Sequence, residues 1–212
     1  MASEKRFHSE VMPVAMRRAA SVIAPWLRAE GFYLAGGTAV ALYYGHRRSV
    51  DLDWFRPEPF EPLTLAQQLQ GHGVSLENVS IASNTLIGWL ERTKVSLLGY
   101  PYPLLAPPRF WQEYQMNIAA PEDLVCMKLA AVQQRGAKRD FIDLYMLLQE
   151  IPLETALWFY TLKYNAAESA SLLYALNYFE DADREPTPRL RIQLTWREVK
   201  VFLRAQARQL CT

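Results

Sequence analysis

The hydrophobic positions change their period partway along the chain. Met12, Met16, Ala19, Ile23, Trp26 and Leu27 recur at helical spacing, which predicts a long helix over about residues 10–30, stopped by Gly31. Phe32-Tyr33-Leu34 reads as a short strand, Thr38 to Tyr44 as a helix of small residues, and Val50 to Phe55 as a second strand. Pro57, Pro59 and Pro62 break the chain before a short helix near 63–70. Strands are expected over 74–81, 85–90 and 93–98, the last two joined as a hairpin through Glu91-Arg92. Four prolines, at 101, 103, 107 and 108, mark a rigid loop, and a short strand follows near 116–118. From Pro121 onward the period is helical throughout: 121–134, 138–149, 153–163, 166–178 and 195–210. Thr195 and Glu198 have capping-box spacing for the last of these helices. The predicted fold class is therefore α/β (α+β). A half with a small mixed sheet of about four to five strands, residues 1–118, precedes a helical half, residues 119–212.

Composition narrows the function classes. Half of the 212 residues are hydrophobic and 21% are charged, as in an ordinary globular chain. No apolar run approaches the roughly 20 residues that span a bilayer, so a membrane partner is not expected. The N-terminus, Met1 to Arg6, is polar and does not resemble a secretory signal. The two cysteines, Cys126 and Cys211, lie far apart, which excludes a disulfide framework or a cysteine-based zinc site and fits a reducing cytoplasm. With 23 Lys/Arg against 22 Asp/Glu, the net charge is +1, so polyanion contact would have to come from local clusters. Residues 184–212 supply one such cluster, with seven bases against two acids. Arg197, Lys200, Arg204 and Arg208 form a stripe opposite Trp196, Val199, Phe202 and Leu203.

Candidate chemistry concentrates between residues 34 and 55. Gly36-Gly37 directly follows a strand and opens a helix, where backbone amides and the helix N-terminus favour a phosphate, and Thr38 adds a hydroxyl. Asp51 and Asp53 are two apart on a strand, so both carboxylates leave one face while Leu52 points to the other. Two carboxylates facing one way call for a cation, and magnesium, which combines carboxylate oxygens with substrate phosphates, suits the pair. Arg47 and Ser49 lie between the two motifs, and either could contact phosphate. His46 reads as a solvated loop histidine, and Trp54 is a candidate wall of a nucleotide pocket.

The order strand, Gly36-Gly37-Thr38, helix, strand, Asp51-Leu52-Asp53 resembles the signature of DNA polymerase β-like nucleotidyltransferases, in the form found in AbiEii/AbiGii-type toxins. A second segment, from Glu122 through Lys128, Arg135, Lys138, Asp140 and Asp143, resembles that family's helix pair. The resemblance implies transfer of a nucleoside monophosphate from a nucleoside triphosphate (NTP), with Mg2+, or Mn2+ in its place, held by Asp51 and Asp53. It further implies that Lys128 and Arg135 reach the nucleotide and that Asp140 assists catalysis or substrate binding. The implied acceptor is RNA, tRNA included, or a protein hydroxyl, and the implied partner is a cognate antitoxin. Away from the resemblance, Arg135, Lys138, Asp140 and Asp143 would read as a surface ion-pair network. One position departs from the family pattern. The third carboxylate expected on the later strand, two residues after Lys94, is Ser96, a weak base and a poor magnesium ligand. Either Asp140 takes that role, or the acceptor needs no strong base, or the chain binds nucleotide without turning it over.

Overall fold

The computed structural model describes residues 6–166 and 170–210. Met1 to Lys5 of the polar N-terminus, Cys211, and part of the helix expected over 166–178 lie outside them. A helix α1 (Val14–Ala29) leads into strand β1 (Tyr33–Leu34), helix α2 (Gly36–Tyr44) and strand β2 (Asp51–Arg56). The first helix starts later than its apolar period suggests, because Pro13 lacks an amide proton and caps rather than continues it. Helix α3 (Pro62–Gly71) precedes a meander of β3 (Glu77–Ala82), β4 (Thr85–Leu90) and β5 (Thr93–Gly99). Strands β6 (Arg109–Trp111) and β7 (Met116–Ile118) close the sheet.

The sheet has seven strands in the order β3-β4-β5-β2-β1-β7-β6, more than the four to five expected. Three of its strands have two or three residues, and of these β6, directly after Pro107-Pro108, left no alternation long enough to read. The sheet is mixed: β2 runs parallel to β5 and antiparallel to β1. Leu52, Trp54, Leu86, Val95 and Leu97 are buried on one face, and α1 and α3 pack on the sheet. Trp54 therefore belongs to the core and does not line a nucleotide pocket, correcting the expectation from its place beside Asp53.

The helical part comprises α4 (Pro121–Gln134), α5 (Lys138–Leu148), α6 (Leu153–Tyr164), α7 (Ala170–Ala175), α8 (Glu180–Arg184) and α9 (Trp196–Gln209). One hydrophobic cluster runs continuously from α1 through the sheet to α9, and α2 packs on both α4 and α5. The chain between α8 and α9 returns to the first half. Leu190 forms an antiparallel bridge with Arg47, the Arg48 amide donates to the Arg189 carbonyl, and the Arg191 amide donates to that of His46. Val199, Leu203 and Ala207 of α9 are buried. Its basic stripe is partly engaged, with Lys200 bonded to Asp183 at 2.8 Å and Arg204 over the Phe179 ring. Among the described residues, no helix is long and apolar enough to cross a membrane.

Candidate active site

The turn from β1 into α2 sets one wall of a cleft. Gly36 adopts φ +66°, a left-handed conformation that favours glycine, and a Cβ there would meet the Asp53 carboxylate at 3.2 Å. At Gly37 the space for a Cβ is already taken by the Arg47 guanidinium, 2.3 Å from where that carbon would stand. The two glycines thus admit a carboxylate and a guanidinium to the first turn of α2. No side chain caps that turn, so its amides remain available to an anion.

Asp51 and Asp53 project from β2 into the same cleft, which Gly37, Thr38, Arg47 and Ser49 also line. Parallel pairing with β5 sets Lys94 beside Asp51 and Ser96 beside Asp53. Burial raises the Asp53 carboxyl above its ordinary range, Ser96 opposes this by donating to it, and the Asp51 charge adds to the rise. Val50, Lys94, Lys128, Arg135 and Arg139 complete the lining. Five cations therefore surround two carboxylates, an arrangement suited to a polyanion bound with a metal ion.

Behind the cleft wall lies a buried charge network centred on Asp143. Arg47 clasps this carboxylate through Nε at 2.6 Å and Nη2 at 2.8 Å. His46 Nε2 is 2.8 Å away, and Lys128 Nζ approaches Oδ2 at 2.7 Å. Lys128 also reaches Asp140 at 2.8 Å, and Arg135 clasps Asp140 at 2.7 and 3.0 Å. Burial alone would raise both carboxyls. For Asp143 the Arg47 and Lys128 cations override it and hold the group well below the usual carboxylate range; for Asp140, Lys128 and Arg135 override it and lower the group. Burial holds the His46 imidazole below its ordinary value despite the hydrogen bond to Asp143.

These placements refine the reading from sequence. Asp143 is fully buried rather than part of a surface network. His46 is likewise buried, not solvated. Lys138 leaves the expected network, its amide and ammonium both bonding Glu185. Thr38 donates its single hydroxyl proton to the Asp51 carbonyl and accepts from Ser49, so both hydroxyls tie α2 to the start of β2. Asp140 stands behind Lys128 with its oxygens engaged by two cations. Lys94 and Arg139 were not singled out. Alternation along β5 puts Lys94 on the face of Ser96 and was the available signal for it. Arg139 had no comparable signal.

Among the described residues no three acidic, histidine or cysteine side chains gather as a metal site. The pair Asp51 and Asp53 is what this cleft offers, and it fits an ion that takes one or two carboxylates and completes its shell with water and phosphate.

The fold is that of the nucleotidyltransferases. It matches a crystal structure from H. pylori, provisionally described as a nucleotidyltransferase, with a TM-score of 0.57 at 18% identity over 92% of this chain and 91% of the other. Residues 92–208 match the family model described as nucleotidyl transferase AbiEii toxin, type IV toxin–antitoxin system. The chain is also 36% identical, over 185 residues, to an uncharacterized protein of Aquifex aeolicus strain VF5, covering 84% of this chain and 87% of that protein. The chain belongs to the AbiEii nucleotidyltransferase family. The family match begins at β5, so Gly36-Gly37 and Asp51-x-Asp53 lie outside it and rest on the site's own geometry.

Proposed function

We propose that this protein transfers a nucleoside monophosphate from an NTP to a hydroxyl of RNA, tRNA included, or of a protein, and that it acts in the cytoplasm as the toxin of a toxin–antitoxin pair. The observation that carries this reading is the Asp51–Asp53 pair beside the uncapped N-terminus of α2, in a cleft that five cations also line. Asp51 and Asp53 would hold Mg2+ or Mn2+, which when bound neutralises phosphate charge and orients the phosphate that is attacked. Amides of Gly36 and Gly37 and the free donors of Arg47 and Lys128 bind the remaining phosphate oxygens. Thr38 and Ser49 fix that wall through their mutual hydrogen bond of 2.6 Å. Arg135 closes the outer side, and Asp140 positions Lys128 and Arg135 by sharing its charge between them. The toxin role and the antitoxin partner rest on family membership alone.

Transfer of label from each α-labelled NTP to total tRNA, to cell extract and to the protein itself tests the proposal. Wild type should label one acceptor class, and the Asp51→Asn/Asp53→Asn double variant should label none. Ser96 in place of an acid favours a second reading, nucleotide binding without turnover. Measurable Mg–NTP affinity with no labelled product in any fraction would establish that reading and refute transfer.

A further inference from the structure

The cleft face of the sheet continues past the carboxylates. Parallel pairing of β2 with β5 and antiparallel pairing of β5 with β4 set Asp51, Lys94 and Trp89 in one row, and Asp53, Ser96 and Ile87 in the next. Leu86, on the alternate face of β4, pairs with Leu97 in the core, so Trp89 stands on the side of Lys94, which lines the cleft. Trp89 is 41% exposed, and among the described residues it has no ring contact or side-chain hydrogen bond. A large apolar ring left open beside a polar cleft invites a ligand surface.

Two other directions out of the carboxylate pair are occupied. Toward β1 lie α2, Arg47 and Ser49, polar groups that suit phosphates. Further along β2, Phe55 packs on Tyr33 and Tyr100, and the Tyr100 and Tyr164 hydroxyls are joined. Across β5, Lys94 at the edge of the cleft pairs with Trp89 of β4. Adjacent strands are about 4.8 Å apart, which puts Trp89 roughly 10 Å from Asp51 across two strand spacings, a gap that the ribose of an NTP spans.

We propose that Trp89 is the platform on which the nucleobase of the bound NTP stacks, with Lys94 beneath the ribose and phosphates. The assignment rests on the cleft being the NTP site. Stacking on an indole face tolerates every base, so this platform adds affinity for nucleotides over free polyphosphate without selecting among the four.

Calorimetric titration of wild type, Trp89→Ala and Trp89→Phe with each Mg–NTP and with Mg–tripolyphosphate tests it. Trp89→Ala should weaken every NTP roughly tenfold, as loss of one base–aromatic stack does, and leave tripolyphosphate unchanged. Trp89→Phe should recover most of the loss. Unchanged NTP affinity in Trp89→Ala overturns the proposal, even if that variant weakens capture of an RNA acceptor. Equal loss for NTP and tripolyphosphate also overturns it, as a general disturbance of the cleft. A wild type that binds neither ligand refutes the NTP reading of the cleft itself, a result distinct from the other two.

Discussion

At the scale of single residues, Asp143 holds the site together without facing it. Three cationic or hydrogen-bonding side chains, Arg47, His46 and Lys128, converge on one fully buried carboxylate. Removing it leaves the buried Arg47 without its carboxylate partner and Lys128 with Asp140 alone, so Asp143→Ala should cost about 3–5 kcal/mol of unfolding free energy, measured by urea titration. The pH dependence follows from the directions of the shifts. Asp140 and Asp143 titrate below their unfolded values, so their stabilisation is present above the unfolded carboxylate range and is lost as pH falls through the folded values. His46 is held low as well, so the unfolded chain takes up its proton first, and stability begins to fall below about pH 6.5. Thermal unfolding should show both stages, the second below about pH 4, and Asp143→Ala should blunt the second. A midpoint insensitive to acid down to pH ~3 would contradict this account of the network. Sequence exposed the carboxylate pair through its spacing of two on a strand. It named Asp143 in the helix-pair resemblance but did not reveal its burial, because burial of a charge depends on partners that arrive from residues 46, 47 and 128.

At the scale of elements, the longest were the most legible, although the short β1 and β7 were expected too. Helices α4, α5, α6 and α9 and the β4–β5 hairpin were evident from periods sustained over several residues, and the capping box at Thr195 and Glu198 forms as its spacing indicated. The five-residue α8 and three-residue β6 carried no such period. The hairpin turn also holds strain that can be relieved. Glu91 and Arg92 both adopt positive φ, 50° and 62°, the conformation that a two-residue turn requires and that Asn-Gly supplies at little steric cost. Replacing the pair by Asn-Gly should stabilise the fold by about 1 kcal/mol, seen as a higher urea midpoint with an unchanged slope. A lower midpoint would mean that the native side chains contribute contacts outweighing their backbone strain.

At the scale of the whole molecule, the cleft is assembled from distant parts of the chain. The sheet supplies Asp51, Asp53 and Lys94, α4 supplies Lys128, and the 189–191 segment pairs with the loop that carries His46 and Arg47. That last connection explains why a C-terminal segment with an apparently separate composition belongs to the same folded unit. It was not legible in the sequence, since a single bridge between residues 47 and 190 leaves no periodic trace. Family membership, fold and cleft chemistry converge on nucleotidyl transfer, and the metal–phosphate site is the central claim. It is tested most directly by anomalous scattering from Mn2+ in a crystal grown with a non-hydrolysable NTP. The account predicts manganese bound by Asp51 and Asp53, with the triphosphate along the first turn of α2 and against Arg47 and Lys128. Manganese or triphosphate bound elsewhere, with these carboxylates free of both, would contradict it.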